Sequence, residues 1–457
     1  MIARIPRISW PLAALAALAL LPPAGAQAQG VDARRLGMGG ILVSEVSGAS
    51  TQNVAYRAVP KATGGPGYRS IPLPLGLIQV LADPPETDTD DPEFNVFEIA
   101  NLIGRTPWTL QLVEPEELSS DIIVDVAQNS LAVDLGTLQR LFPKESIRYG
   151  VTWSSPNIEI GVRNVFFGVR PQVEGRNSLD LDEALQGALG EGEPFLPNTS
   201  YAASDEAQGQ AAIALSGGVA LPLVPAVGSP DGDPRKGGFA VYAGARAKYL
   251  SGVALWRGEA LGSFATGDTI FGSTTPVTAA YVADIRRTRE VAIGSGQGAG
   301  ADLGVALFVN KLEIGVGVND VGSTIKWDDT DLTRSTYDSV SDVEQTFDVE
   351  SGAEYTSRFP VTGTLNLTYR TGNLLFGGTL DRTTNERWIP RAGVEAWTGP
   401  VPLRGGVYLD TYKQLQFTAG SGLKLGPIGL DVALATNSRG ITTSRGLELA
   451  ASLALYN

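Results

Sequence analysis

The chain has no cysteine and no histidine. The first absence excludes disulfides, thiolate nucleophiles and an N-terminal lipid anchor on cysteine. Together the two exclude zinc fingers, haem held by histidine, and any Ser-His-Asp or Cys-His catalytic pair. Charge is scarce as well, at 18% of 457 residues, and its balance is acidic, with a formal net charge of −14. Nucleic acid is therefore not an expected partner, because phosphate binding takes a basic surface. Barrel hydrolases commonly need histidine for proton transfer, so the reading is a non-enzyme with no catalytic residues, no metal and no cofactor.

What is present is apolar and rich in glycine. Hydrophobic residues make up 43% and glycines number 55, too apolar for a disordered chain and enough for one large domain or two medium ones. Residues 1–28 read as a secretory signal peptide. Arg4 and Arg7 precede an apolar stretch from Trp10 to Leu21, and Ala24-Gly25-Ala26 and Ala26-Gln27-Ala28 offer small-residue cleavage sites. After it, no apolar run reaches the roughly 18 residues of a membrane helix. The expectation is an exported protein without a helical span.

The C-terminal two-fifths alternates with period 2. Leu447, Leu449, Ala451, Leu453 and Leu455 oppose Glu448, Ala450, Ser452, Ala454 and Tyr456. Leu415, Phe417, Ala419, Leu423 and Leu425 oppose Gln416, Thr418, Gly420, Gly422 and Lys424; Ile428, Leu430, Val432 and Leu434 oppose Gly429, Asp431, Ala433 and Ala435. One aliphatic face per segment is a strand signal. The other face is Gly, Ala, Thr, Ser and Asn with occasional charges, which suits a barrel interior better than the Lys- and Glu-rich face of a soluble sandwich.

Connections sharpen this reading. Tight turns at Asn310-Lys311, Thr371-Gly372, Gly399-Pro400 and Gly426-Pro427 alternate with longer polar connections: Val321 to Phe359, Arg382 to Ile389, Asp410 to Gln414 and Thr436 to Arg445. Outer-membrane barrels show this asymmetry of short and long ends. Upstream candidates are Phe239 to Tyr249, Ala211 to Leu221, Asn157 to Phe167, Ile147 to Ser154 with Ser155-Pro156 as a tight turn, and one strand within Ile122 to Leu135. Val253 to Ile293 reads as an outer loop or a further hairpin. The expected fold is all-β, a transmembrane antiparallel barrel of about fourteen strands over residues 121–457. Residues 29–120, with a glycine-rich start and a helix from Glu93 to Ile103, read as an N-terminal plug.

Arg35-Leu36-Gly37-Met38-Gly39-Gly40-Ile41-Leu42-Val43 resembles the N-terminal signature of the long-chain fatty-acid transporter (FadL-type) superfamily, and is closer still to its PorV-like and TraF-like branches. Gly48 to Ala55 is similar to the small-residue segment that follows in those proteins, while Ala55 to Pro60 replaces their Asn-Pro turn. Arg391 to Trp397, Pro402 to Tyr408 and Gly420 to Pro427 continue the likeness. Barrels of this kind end on an aromatic residue; here Tyr456 stands one place before the end. The resemblance implies a fourteen-stranded barrel with a hatch, passing small, fatty-acid-like hydrophobic compounds across the bacterial outer membrane. In the PorV-like branch it implies instead a scaffold for protein secretion or surface attachment.

Candidate functional residues follow from these readings. Leu36, Gly37, Met38, Gly39 and Gly40 form the plug entry motif, since backbone passing through a crowded lumen favours residues without side chains. Arg246, Lys248, Arg404, Lys424, Asp431 and Glu448 fall on inward faces, because Arg or Lys facing lipid at mid-bilayer costs roughly 2–4 kcal/mol. Pairing of the four cations with Asp381, Asp410, Asp431 and Glu448 is one expectation; steering of a carboxylate substrate is the other. Trp327, Trp388 and Trp397 read either as interfacial girdle residues or as ordinary strand aromatics. The acidic runs Asp83 to Glu93 and Asp328, Asp329, Asp331 read as solvated charge rather than calcium loops. The expected partners are outer-membrane lipid, with a small hydrophobic ligand or secretion machinery. An open lumen lined by apolar side chains favours transport; a filled lumen favours docking.

Overall fold

The computed structural model describes residues 32–46, 48–60, 68–73, 108–111, 121–125, 130–134, 147–154, 158–162, 164–191, 193–268, 278–384, 388–409, 415–436 and 446–456. The signal peptide, the acidic run 83–93 and the helix expected over 93–103 lie outside them. The wall is one antiparallel meander. Its strands are β1 (Tyr68–Pro72 and Trp108–Gln111), β2 (Ile147–Ser154 and Ile158–Val162), β3 (Val165–Leu181), β4 (Ser200–Val227), β5 (Phe239–Ala265), β6 (Thr278–Thr288 and Gly296–Val309) and β7 (Leu312–Asp338). They continue as β8 (Val343–Arg358 and Thr362–Thr371), β9 (Leu374–Thr383), β10 (Ile389–Thr398), β11 (Val401–Leu409), β12 (Leu415–Leu425), β13 (Ile428–Thr436) and β14 (Gly446–Tyr456). Eighteen paired segments make fourteen strands, because β1, β2, β6 and β8 are each interrupted once. From β2 to β14 every strand pairs with its chain neighbours, and both pieces of β1 pair with β14, Tyr68 opposite Tyr456 and Trp108 opposite Leu449. First and last strand side by side is one of the two seams that barrel closure needs; the other, β1 beside β2, is not among the pairings of the described residues.

The period-2 segments become strands as expected, and the tight turns at one end are built by residues that tolerate positive φ: Asn310 (56°), Gly372 (54°), Gly399 (65°) and Gly426 (64°). Several expectations are corrected. Ile147–Ser154 and Ile158–Val162 both run along β3 in the same direction, so they are two halves of one strand; the tight turn expected at Ser155-Pro156 lies outside the described residues. The reversal comes after Val162, inside the stretch expected as one strand from Asn157 to Phe167. Asp121–Asp125 and Ser130–Asp134 form a separate two-stranded hairpin apart from the wall. Val321 to Phe359 is not a loop but the tall upper part of the β7–β8 hairpin, and Val253 to Ile293 belongs to an equally tall β5–β6 hairpin. Both faces of such strands meet solvent or one another above the wall, so no hydrophobic period marks them.

The wall is inside out relative to a water-soluble protein. On β13, Ile428, Leu430, Val432 and Leu434 are exposed while Asp431, Ala433 and Ala435 between them are buried; Leu430 is 47% exposed and Asp431 0%. On β12, Leu415, Leu423 and Leu425 point outward, and Gln416 and Thr418 inward. Leu303 and Val305 on β6, Val316 on β7, Leu365, Leu367 and Tyr369 on β8, and Phe376 on β9 extend the exposed belt. Water would be a poor solvent for so continuous an apolar surface; hydrocarbon suits it.

The sheet is rolled around residues 32–60. The Ala33 amide donates to Ser452 Oγ on β14 at 2.9 Å, while the next residue, Arg34, reaches Glu395 on β10 at 2.7 Å. Four strand spacings separate β10 from β14, about 19 Å in a flat sheet at about 4.8 Å each. Likewise Val54 packs on Phe166 of β3, and the Tyr56 hydroxyl, two residues on, donates to Asn366 Oδ1 of β8 at 2.7 Å. Only a tightly curved sheet brings such strands within reach of neighbouring residues.

Candidate functional site: the lumen and its plug

The segment begins with Asp32, whose carboxylate accepts from the Arg34 amide (3.1 Å) and caps α1 (Ala33–Gly37). It continues through α2 (Ala49–Gln52) and a 3₁₀ turn (Val54–Arg57). Leu36 is buried with Ala33 against Ala433, Ala435 and Ala450 of β13 and β14; Met38 is buried with Ile41, Val43, Val46 and Leu375. Gly39 and Gly40 have φ of 71° and 79°. A Cβ on Gly39 would stand 2.7 Å from the Ala392 carbonyl oxygen and 2.9 Å from the Val407 nitrogen. Gly37 meets Gly420 backbone to backbone, and Thr418 of β12 clasps the turn on both sides of Met38, accepting from the Gly39 amide (2.9 Å) and donating to the Gly37 carbonyl (3.1 Å). The inward glycines of the wall, among them Gly393 and Gly406, are the matching half of this fit.

Two alternating chains of charge flank the segment. In the first, Arg370 on β8 donates to Glu45 (2.6 Å), Glu45 accepts from Arg34 (2.6 Å), and Arg34 holds Glu395 of β10 through Nη2 (2.7 Å) and Nε (2.9 Å). Arg404 of β11 then bridges Glu395 (2.7 Å) and Asp431 of β13 (2.6 Å). In the second, Arg57 stands 3.7 Å from Glu159 of β2, which also accepts from Arg246 of β5. Arg246 reaches Asp302 of β6 (3.3 Å), and Lys248 of β5 binds Asp302 (2.6 Å) and Asp320 of β7 (2.5 Å). Among the described ion pairs, each chain alternates three cations with three anions. Fully buried charge is tolerable only when paired in this way. A further tie joins Ser44 to Glu313 of β7, through the amide (2.9 Å) and the hydroxyl (2.8 Å).

The residues singled out in the sequence are thus distributed as follows. Leu36 to Gly40 lie in the lumen against β10 to β14. Arg246, Lys248, Arg404 and Asp431 are buried on the inner face and belong to the chains. Of the expected pairings, Arg404 with Asp431 is present; Arg246 and Lys248 instead take Glu159, Asp302 and Asp320, and Asp381 takes Arg391 (3.0 Å). Lys424 sits on the inward phase of β12, half-buried beside the short turn. Glu448 pairs through its backbone with Ala435 and Thr109; its side chain and Asp410 lie outside the described residues. Arg34, Glu45, Glu159, Asp302 and Glu395 were missed. Their signal was an acid or arginine on the small-residue face of a strand, or in the plug itself.

Trp327 is not in a girdle. It is fully buried in the lumen, farther toward the long connections, with Leu250, Leu255, Ile325 and Phe359, and its Nε1 donates to Ser357 Oγ (2.8 Å). Trp397 also turns inward, donating to Glu395 Oε1 (3.0 Å), whereas Trp388 is exposed under the Arg382 guanidinium. The two irregularities at Asp320 and Gly322, both with positive φ, cancel in phase, so Trp327 keeps the inward phase of Glu313, Gly315 and Gly317. Asp329 and Asp331 face Arg289, at 3.4 and 2.8 Å, and so are paired with a cation of the chain itself.

No family model matches the chain, and no curated protein matches it. Among solved structures it is similar to the Ralstonia pickettii toluene transporter TbuX, with 12% identity over 68% of this chain and 87% of that one and a TM-score of 0.30. It is also similar to a deltaS2S3 mutant of TodX, a monoaromatic hydrocarbon channel, with 10% identity over 70% of this chain and 92% of that one and a TM-score of 0.27. Likeness at this level carries no weight for activity.

Proposed function

We propose that the protein is a bacterial outer-membrane channel, closed at rest by its own residues 32–60, that passes small hydrophobic compounds when this plug shifts. The observation that carries the reading is the chemistry of the plug's seat. Arg34, Glu45 and Arg57 tie it to the wall through alternating chains of charge. Well-packed apolar contacts hold a permanent core at least as tightly as buried ion pairs do. Ion pairs differ in that water entering a lumen can take over their partners, so a polar seat suits a part that moves.

The substrate class is supported by the apolar cluster around Trp327, Leu250, Leu255, Ile325 and Phe359, which stands inside the lumen on the long-connection side of the plug. A transient apolar passage there would favour hydrocarbon-like or fatty-acid-like solutes over sugars. The plug entry motif Leu36 to Gly40 is then the hinge-side contact of the gate. The test is a planar-bilayer recording of the intact chain beside one lacking residues 29–60. The deletion is expected to open a steady conductance; a silent, folded deletion would refute the gate.

The second reading is a non-transporting scaffold for secretion machinery or surface attachment. The filling of the lumen by residues 32–60 favours it. A folded barrel that stays closed without the plug would shift the balance to this reading.

A further inference from the structure

The upper piece of β8, Val343–Arg358, is bonded along one side only: it pairs with β7 from Thr324 to Asp338, and no strand is paired to its other side among the described residues. Ten consecutive residues, 343–352, are exposed on both faces. A long open edge is a template for another strand, and proteins usually keep such edges short, bulged or covered. Here it is long and projects above the wall.

Its side chains specify what fits. Glu344, Thr346 and Asp348 alternate with Val343, Gln345 and Phe347, so one face of the edge is acidic and the other apolar; Val343 and Phe347 are 43% and 46% exposed. A second copy is disfavoured by the same pattern. In an antiparallel self-pair centred on Phe347, Glu344 of each copy would oppose Glu350 of the other, and each chain carries −14. We infer that this edge is a docking site for an extended peptide in which basic residues alternate with apolar ones, added as a strand along Val343–Gly352. Main-chain hydrogen bonds would supply affinity, and the alternating side chains would supply selectivity.

The probe is a fluorescently labelled decapeptide alternating lysine and valine, titrated by anisotropy against the full chain in detergent micelles. Two backbone-blocked forms accompany it, one N-methylated at the valines and one at the lysines. Strand addition uses every second amide, so one form should lose binding at least tenfold and the other should keep it. Glu344→Lys with Asp348→Lys, both exposed, should weaken the parent peptide at least tenfold while the barrel keeps its heat-modifiable migration. The inference is overturned if both methylated forms bind alike, which is ionic attraction alone, or if the double variant binds unchanged. It is also overturned if Phe347→Cys copies cross-link to each other in the absence of peptide, which assigns the edge to a second copy.

Discussion

Arg34 and Glu395 are withdrawn from solvent and joined by a two-pronged contact, Nε to Oε2 at 2.9 Å and Nη2 to Oε1 at 2.7 Å, across 361 residues of chain. The same guanidinium holds Glu45, so one side chain fixes the plug internally and fastens it to β10. Removing one partner of a buried pair costs about 3–5 kcal/mol. Glu395 keeps Arg404, which places Arg34→Ala at the low end of that range. The expected outcome is spontaneous channel opening and faster trypsin cleavage within residues 32–60, with Arg34→Lys intermediate because it keeps charge but not the fork. A variant as quiet and as resistant as the parent would show that the pair does not seat the plug.

Gly39 should be as sensitive for a different reason. Its φ of 71° is costly for residues with a Cβ, about 1–2 kcal/mol. The added carbon also meets the Ala392 and Val407 backbone, which cannot swing aside as a side chain would. Gly39→Val is expected to expel the segment around α1 while the strands persist. Circular dichroism should stay that of a β-protein as protease access to residues 32–60 rises. Loss of the strand signal along with the plug would mean that wall and plug fold as one unit.

The wall was legible because lipid and lumen impose opposite solvents on alternate residues. Leu430 and Asp431 differ by one position, yet one is 47% exposed and the other 0%, and period 2 records that directly. Above the wall the rule lapses. Glu344 and Phe347 are both exposed, so the β7–β8 hairpin read as a loop. Trp327 read as a girdle candidate because the stretch that carries it read as a loop. Once that stretch is a strand, the odd-numbered residues face inward both below Asp320 and above Gly322 as far as Trp327, which shares the phase of Glu313. The charge chains were half visible. Arg246 and Lys248 declared themselves as cations on a small-residue face, but Asp302 faces Arg246 only in the β5–β6 register, which the stretch from Val253 to Ile293 hid, and Glu159 on β2 is brought close only by the curvature of the sheet.

Above the wall, Asp331 on β7 is pushed down to about 2, first by hydrogen bonds from Arg289, then by the Gly352 amide and Ser351. A depressed carboxylate contributes stability that is fully present above its ordinary value near 3.9 and is lost as pH falls through the folded one. The Gly352 amide should therefore keep its exchange protection from pH 7 to pH 4 once the intrinsic rate is corrected. Asp331→Asn should lower that protection at every pH in the window. Protection that fades between pH 5 and pH 4 would mean an ordinary carboxylate and a looser hairpin.

Leu430 and Asp431 also supply the test on which the membrane reading stands. In a soluble sheet, Leu430→Arg at a half-exposed position would change stability by less than about 0.5 kcal/mol, as surface substitutions usually do. Facing the middle of a bilayer, the same arginine costs about 2–4 kcal/mol, and the cost shrinks toward the interfaces. Reversible urea unfolding in lipid vesicles should therefore show a loss for Leu430→Arg that exceeds the loss for Ile428→Arg, which lies beside the short turn at Gly426. Asp431→Leu should also destabilise, although it adds apolar surface, because Arg404 would keep a buried charge with only Glu395 to answer it. A sheet that welcomes leucine at 431 and arginine at 430 has its solvents the other way round, and no hydrocarbon surrounds it.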